Sequence, residues 1–201
     1  MSEESPQVII IAGPNGAGKT SLAPFLLRDR FTAFAFVNAD AIASGLSAFE
    51  PDSVAIEAGR VMLGRLHELS ERKESFAFET TLAARSYGAW LKHLRQEGYE
   101  VHLIFVWLRS VELAIERVSE RVRRGGHAVP QQEIRRRYER GVFNLFELYL
   151  PLSDTWVIYD NSERDKPSRI ATGGGGTPPK ISRPDAWQIL LASRPRKGQS
   201  L

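Results

Sequence analysis

Apolar positions along the chain alternate between short continuous runs and longer stretches with helical spacing. Continuous runs of β-branched and aromatic residues are typical of buried strands, and they predict five strands, at 8–12, 33–37, 76–78, 101–108 and 156–159. Apolar residues that recur every three or four positions predict helices between these runs. Strands that alternate with helices favour an α/β fold, with a five-stranded, mainly parallel sheet covered by helices on both faces.

The length of 201 residues suits one domain over 1–201, with its core at about 7–162. Two arginine-bearing helical stretches are divided by a Gly-Gly pair at 125–126. A glycine pair between two helices can act as a hinge. The pattern therefore predicts a helical lid over about 117–140.

The last part of the chain, 162–201, is rich in glycine, proline and serine and contains four consecutive glycines at 173–176. Such composition is typical of loops. We expect a flexible C-terminal segment here, with a hairpin tip or a disordered loop at the glycines. An apolar stretch at 187–191 predicts a short helix within it.

The residues between the first predicted strand and the next helix read GPNGAGKT, which fits the phosphate-binding pattern G-x-x-x-x-G-K-[ST]. In this P-loop the glycines let backbone N–H groups turn toward phosphate oxygens, and the helix N-terminus adds partial positive charge. The lysine is expected to reach the β- and γ-phosphates and the threonine hydroxyl to bind Mg²⁺. The motif predicts a three-layer P-loop NTPase fold. The predicted nucleotide-binding residues are Gly13, Pro14, Asn15, Gly16, Ala17, Gly18, Lys19, Thr20 and Ser21.

Asp40 comes shortly after the second predicted strand, in the sequence Asn38-Ala39-Asp40. Because the carboxyl ends of parallel strands line the ligand crevice of such sheets, we expect Asp40 beside the P-loop. There it could accept a proton from a substrate hydroxyl as a general base. Polar residues at strand ends also form Asx turns and helix caps, so the sequence leaves both roles open.

Glu79 ends the third predicted strand and is followed by Thr80 and Thr81. A carboxylate directly after an apolar strand is the layout that holds Mg²⁺, usually through water. Glu79 could instead bind substrate hydroxyls, and either threonine could cap the following helix. The sequence predicts an acid at the edge of the site without choosing among these roles.

Arginines are concentrated between positions 117 and 140. Arg117, Arg121 and Arg124 share one helical stripe, and further arginines follow the glycine break. A lid built this way would exclude water and bring guanidinium groups to the γ-phosphate. For any single arginine, a solvated helix face with ion pairs would give the same pattern. The predicted lid residues after the first two arginines are Arg124, His127, Arg136 and Arg137.

Composition narrows the function class further. The chain has no cysteine, which excludes thiol catalysis and cysteine metal sites, and its four histidines lack metal-ligand spacing. No apolar run approaches the roughly 18 residues needed to span a bilayer, and the polar N-terminus differs from a secretory signal, so we expect a cytoplasmic protein without a membrane partner. The net charge of +3 is modest, but the basic residues cluster at 117–140, which suggests a polyanionic ligand, with nucleotide phosphates as the closer explanation. Aromatic residues placed on core positions disfavour a nucleic-acid surface.

The motifs GPNGAGKT, FVNAD, FAFETT, AIERVSERV, GGHAVP, RRRYERG and WVIYDNS together resemble the zeta-toxin-like P-loop kinases over about 8–162. The resemblance implies an ATP- or GTP-dependent kinase that uses Mg²⁺ and phosphorylates a hydroxyl of a small molecule. The acceptor of the best-known members is UDP-N-acetylglucosamine, and a small antitoxin protein inhibits them. An antitoxin is therefore an implied partner.

The same resemblance assigns roles to single residues. It matches Asp40 to the catalytic base, and Glu79 with Thr80 to the substrate-side acid and its neighbour. The phosphate-facing residues that it implies are Lys19, Thr20 and the first lid arginine, Arg117.

One position departs from the toxin pattern. His127 stands where the toxins carry a second lid arginine before a short x-x-Pro turn. Arg121, Arg124 or an arginine after Pro130 would then have to contact the γ-phosphate.

Two other function classes fit the same motifs. A P-loop NTPase switch or ATPase would bind a partner and phosphorylate no metabolite, so that Asp40 would position only water. A polynucleotide kinase would use the basic stretch to bind nucleic acid, with strong salt dependence. The second class is disfavoured because the arginines lie where a lid is expected.

Overall fold

The computed structural model describes residues 5–27, 35–48, 51–163 and 167–195, with only the backbone described at 51 and 52. Within these residues one sheet has the strand order β2-β3-β1-β4-β5-β6-β7. The strands are β1 (Gln7–Ala12), β2 (Ala35–Val37), β3 (Phe76–Thr80), β4 (Glu100–Trp107), β5 (Thr155–Asp160), β6 (Ser168–Gly174) and β7 (Thr177–Ile181).

The helices are α1 (Lys19–Leu27), α2 (Ala39–Leu46), α3 (Ala55–Glu71), α4 (Ser86–Gln96), α5 (Val111–Arg123), α6 (Gln131–Asn144), α7 (Leu150–Leu152) and α8 (Pro184–Ala192). A 3₁₀ turn at Pro51–Val54 precedes α3, and a π-helical turn at Leu145–Tyr149 joins α6 to α7. None of the helices in the described ranges is long and apolar enough to cross a membrane.

The first five strands are parallel, as the sequence predicts: β1 lies between β3 and β4, with β2 and β5 outside them. Their carboxyl ends therefore meet at one edge of the sheet. The chain crosses from one side of β1 to the other, which makes the end of β1 a topological switch point where ligands bind in such folds. The P-loop leaves β1 at this point.

The predicted strand count of five is wrong, because β6 and β7 extend the sheet as an antiparallel hairpin. They lie in the segment predicted to be flexible, which also contains α8. Only Ile170 and Ala171 of β6 are buried, and every residue of β7 is exposed, so this hairpin has no continuous apolar run. Residues 33 and 34 of the second predicted strand lie outside the described residues.

Alternate residues of β1 face opposite sides of the sheet. Val8 and Ile10 belong to the main core, which α3, α4, α5, α6 and α8 complete on one face. Ile9 and Ile11 pack with Ala23 of α1 on the other face. The central strand, buried from Val8 to Ala12, holds the P-loop between two packed layers.

Candidate functional site

The P-loop has a backbone that only glycine adopts readily. Gly13, Gly16 and Gly18 have φ angles of 145°, 78° and 83°. A Cβ atom on Gly13 would lie 2.1 Å from the carbonyl oxygen of Val106, and one on Gly16 would lie 2.9 Å from that of Ala114. The loop therefore sits directly against β4 and the first turn of α5, with no room for a side chain.

The loop is also held by hydrogen bonds from the neighbouring strand ends. The Gly13 amide donates to the Thr80 carbonyl over 3.2 Å, and the side-chain amide of Asn161 donates to the Ala17 carbonyl over 2.8 Å. Asn161 directly follows β5, so this polar residue ties the far strand to the P-loop. The sequence analysis did not single it out as a site residue, although it belongs to a recognised motif, WVIYDNS.

Lys19 is 7% exposed and begins α1. Its Nζ atom donates to the Pro14 carbonyl over 3.1 Å and lies 3.5 Å from Oε1 of Glu79. Burial lowers the pKa of Lys19, the charge of Arg121 lowers it further, and the carboxylates of Glu79 and Asp40 oppose the shift. A phosphate group beside Nζ would supply the negative charge that favours the ammonium form.

Glu79 is the centre of a hydrogen-bond network that joins the end of β3 to the start of α1 and to Asn38, the residue between β2 and α2. Its Oε2 atom accepts from the Thr20 hydroxyl over 2.7 Å and from the side-chain amide of Asn38 over 2.6 Å. Thr80 and Thr81 accept from the Leu82 and Ala83 amides, and α4 begins only at Ser86, so neither threonine caps that helix.

This network fits a Mg²⁺ ion bound together with a nucleotide. The Thr20 hydroxyl donates a hydrogen bond to Glu79 and accepts one from Asn38 over 3.5 Å, which leaves one lone pair of its oxygen available to a cation. The described residues contain no group of three or more acidic, histidine or cysteine side chains that could hold a metal. Mg²⁺ is commonly bound by one or two protein ligands plus substrate phosphates and water, which is the arrangement these residues allow.

Asp40 is the second residue of α2, and its helix is capped by Asn38 rather than by Asp40. The Oδ1 atom of Asn38 accepts from the Asp40 amide over 2.8 Å and from the Ala41 amide over 3.1 Å. The Asp40 side chain is exposed to the cleft and makes no cap. Of the two roles that the sequence left open, helix capping thus belongs to Asn38.

A cleft of about 400 Å³ opens between these groups and α6. Its lining combines the carboxylates, Asn38 and Lys19 with arginines of α6. The charged and hydroxyl-bearing residues in its lining include Lys19, Asp40, Glu79, Thr80, Arg136, Arg137 and Arg140. The structure thus brings the predicted acids together with two of the predicted lid arginines, and adds Arg140, which lies one helical turn from Arg136 and Arg137.

Arg117 and Arg121 of α5 lie beside the P-loop rather than in the lining of the cleft. A Cβ atom on Gly16 would lie 3.2 Å from Cβ of Arg117, and the charge of Arg121 lowers the pKa of Lys19. Arg117 donates to the Ser162 carbonyl over 2.8 Å, and Arg121 donates to the His127 carbonyl over 2.9 Å. Both arginines are thus fixed by backbone carbonyls at the edge of the phosphate loop.

The remaining predicted lid residues do not line the cleft. Arg124 caps α5 and is exposed. His127 contributes its carbonyl to the contact with Arg121.

On α6, Arg136 forms a bidentate pair with Glu133 at 3.0 and 2.6 Å, and Glu133 is also 3.5 Å from Arg137. The Glu133 carboxylate therefore pairs with two of the three arginines that line the cleft.

Tyr138 anchors the arginine-bearing helix α6 to the end of β4. Its hydroxyl donates to the Leu108 carbonyl over 2.6 Å and accepts from Nε1 of Trp107 over 3.1 Å, and all three groups are buried. Burial raises the pKa of Tyr138 to about 12. The neutral hydroxyl is thus the form that the folded protein requires.

Tyr138→Phe should lower the free energy of unfolding by about 1–3 kcal/mol, because two buried polar groups lose their partner. The native hydroxyl contributes stability below pH 10 that is lost as the pH rises toward 12, since its pKa is raised in the folded state. The variant should therefore lose less stability than wild type over that alkaline range. Denaturant unfolding at neutral and alkaline pH measures both effects, with Tyr159→Phe on the other sheet face as the control. Equal stability of Tyr138→Phe and wild type at neutral pH would contradict the anchor.

Comparison with known proteins identifies a family and a fold. The family model described as Zeta toxin matches residues 1–165. An uncharacterized protein of Haemophilus influenzae is 29% identical over 132 residues, which is 66% of this chain and 92% of that protein.

Solved structures with the same fold include the complex of AvrRxo1-ORF1 with AvrRxo1-ORF2 containing sulphate ions, at a TM-score of 0.76, 14% identity and 97% coverage of this chain. The same complex with ATP gives a TM-score of 0.73 and 15% identity, with 98% of this chain and 67% of that chain covered. The PezAT chromosomal toxin–antitoxin system of Streptococcus pneumoniae gives 0.65 and 18%, covering 96% of this chain and 80% of that chain. The chain spans 66% of the first of these structures, so it lacks about a third of that length. The likeness to these structures shows a shared fold.

Proposed function

Since the chain belongs to the zeta toxin family, we propose that it is a kinase that transfers the γ-phosphoryl group of ATP or GTP to a hydroxyl of a small molecule. The observation that carries the proposal is the cleft that contains Lys19, Asp40 and Glu79 around one open volume. A phosphate site and a candidate base share this cleft, as phosphoryl transfer requires. The structure of a relative with bound ATP supports ATP as the donor.

In the proposed reaction the acceptor oxygen attacks the γ-phosphorus as the bond to the β–γ bridging oxygen breaks. Asp40 takes the proton of the acceptor hydroxyl, and the nucleoside diphosphate leaves with the bridging oxygen. Lys19 and the P-loop amides hold the phosphates in line with the acceptor. Mg²⁺, when bound through the nucleotide, Thr20 and Glu79, neutralises phosphate charge.

The arginines of α6 that line the cleft support an acceptor that itself carries negative charge. Arg136, Arg137 and Arg140 line the cleft, and Glu133 pairs with the first two of them. Guanidinium groups bind phosphate oxygens in a bidentate geometry. A nucleotide sugar such as UDP-N-acetylglucosamine would place its diphosphate near these arginines and a sugar hydroxyl near Asp40.

An antitoxin partner is part of the proposal, because two relatives of the same fold occur with partner proteins. One is a toxin–antitoxin system and the other a two-chain complex. A protein encoded beside this chain that co-purifies with it and suppresses its ATP turnover would support such a partner.

The function is tested by incubating the protein with Mg²⁺, ATP and UDP-N-acetylglucosamine and measuring ADP, free phosphate and sugar-nucleotide mass together. A kinase forms more ADP than free phosphate, and the difference equals the phosphorylated acceptor. If ADP exceeds free phosphate only with other acceptors, the kinase activity is supported and the nucleotide sugar is excluded as its acceptor. ADP equal to free phosphate under every condition would favour the alternative, an ATPase or switch.

A further inference from the structure

Asn38 is a buried amide, 6% exposed, at the junction of β2 and α2, and no role in the reaction was expected of it. It uses both ends of its side chain. The oxygen accepts from the amides of Asp40 and Ala41, and the nitrogen donates to Glu79 over 2.6 Å, with the Thr20 hydroxyl 3.5 Å away. Because backbone amides can only donate and a carboxylate only accepts, this orientation of the amide is fixed by its partners.

We propose that Asn38 is a positioning residue that sets the candidate base and the metal-side acid relative to each other. The proposal rests on the function proposed above. One end of Asn38 holds the backbone N–H of Asp40, and the other end holds the Glu79 oxygen that also accepts from Thr20. A single rigid side chain therefore joins three elements that reach the cleft: the start of α2, the end of β3 and the P-loop helix.

The Glu79 carboxylate would otherwise have several competing partners. Lys19 lies 3.5 Å from its other oxygen, and the arginines of α6 line the same cleft. A carboxylate drawn toward these cations would leave the Thr20 hydroxyl without its acceptor. The hydrogen bond from Asn38 to a charged group is of the strong class and opposes that rotation.

Substitution can separate the two contacts of Asn38, the helix-cap contact of its oxygen and the contact of its nitrogen with Glu79. Serine and aspartate are N-cap residues comparable to asparagine, so Asn38→Ser and Asn38→Asp keep an acceptor for the α2 amides. Neither variant keeps the donor to Glu79: the serine side chain is too short to reach it, and aspartate replaces the donor with a like charge. Asn38→Ala removes the cap as well and serves as the comparison for a purely structural role.

The test measures ADP formation with ATP and Mg²⁺, water being the acceptor, together with melting temperature. Asn38→Ser should melt close to wild type yet turn over ATP about tenfold to a hundredfold more slowly, from the loss of one charge-assisted hydrogen bond. The Michaelis constant for ATP should change little, while the Mg²⁺ concentration for half-maximal rate should rise. Asn38→Asp should lose more turnover than Asn38→Ser, because it adds repulsion.

Turnover of Asn38→Ser equal to that of wild type, with only Asn38→Ala impaired, would show that Asn38 acts as a helix cap and would overturn the inference. The inference would also be overturned if all three variants lost melting temperature and turnover to the same extent. A positioning role predicts instead that Asn38→Ser loses turnover while its melting temperature stays close to that of wild type. If wild type forms no ADP with water or with any acceptor, the proposed function fails first. If wild type forms ADP and Asn38→Ser matches it, only the inference about Asn38 fails.

Discussion

Asp40→Asn should reduce phosphoryl transfer by about 10²–10⁴-fold with little change in nucleotide affinity, because a positioned general base supplies an effect of this size. Asparagine has the same shape and keeps the helix start, where the capping contacts come from Asn38 and use only the backbone of Asp40. The loss should therefore appear in kcat rather than in stability. Steady-state ADP formation with saturating ATP and acceptor measures it.

Asp185 offers a matched control. It is likewise the second residue of its helix, α8, and is exposed, but it pairs with Arg183 away from the cleft. Asp185→Asn should leave turnover unchanged. A turnover of Asp40→Asn within a factor of three of wild type would exclude the base assignment while leaving the phosphate site intact.

Lys19→Met should abolish productive use of ATP, with a loss of about 10²–10³-fold in turnover and weakened nucleotide binding, as for removal of one preorganised charge from a transition state. Methionine fills the same buried channel without a charge. Burial lowers the pKa of Lys19, which means that the folded environment disfavours the ammonium form. The variant should therefore melt no lower than wild type.

Lys92, an exposed lysine of α4, is the control, and Lys92→Met should bind and turn over ATP normally. Calorimetric ATP binding and ADP formation distinguish loss of the phosphate contact from loss of the fold. Normal turnover by Lys19→Met would contradict the role given to this residue.

Sequence patterns predicted the parts of the fold that are buried. The runs at 8–12 and 101–108 are apolar because β1 and β4 are covered on both faces, and their hydrophobicity is visible without the structure. The hairpin of β6 and β7 was missed for the opposite reason: it lies at the sheet edge, and β7 is exposed throughout.

At the site, the P-loop could be predicted because its glycine spacing dictates one backbone shape. The choice between Asn38 and Asp40 as the helix cap could not, because both are good caps and a shift of two residues in the helix start exchanges their roles. Placement of Arg140 in the cleft follows from its spacing to Arg136 and Arg137, a signal that the sequence does contain.

The most direct test of the central claim uses γ-labelled ATP with Mg²⁺ and a filtered small-molecule fraction of cells as the acceptor mixture. The kinase site described above predicts that wild type transfers label to a small molecule that is neither nucleotide donor nor free phosphate. It also predicts that Asp40→Asn forms this product at least about 10²-fold more slowly. Label appearing only as free phosphate with wild type, or an equal labelled product from both proteins, would contradict the claim.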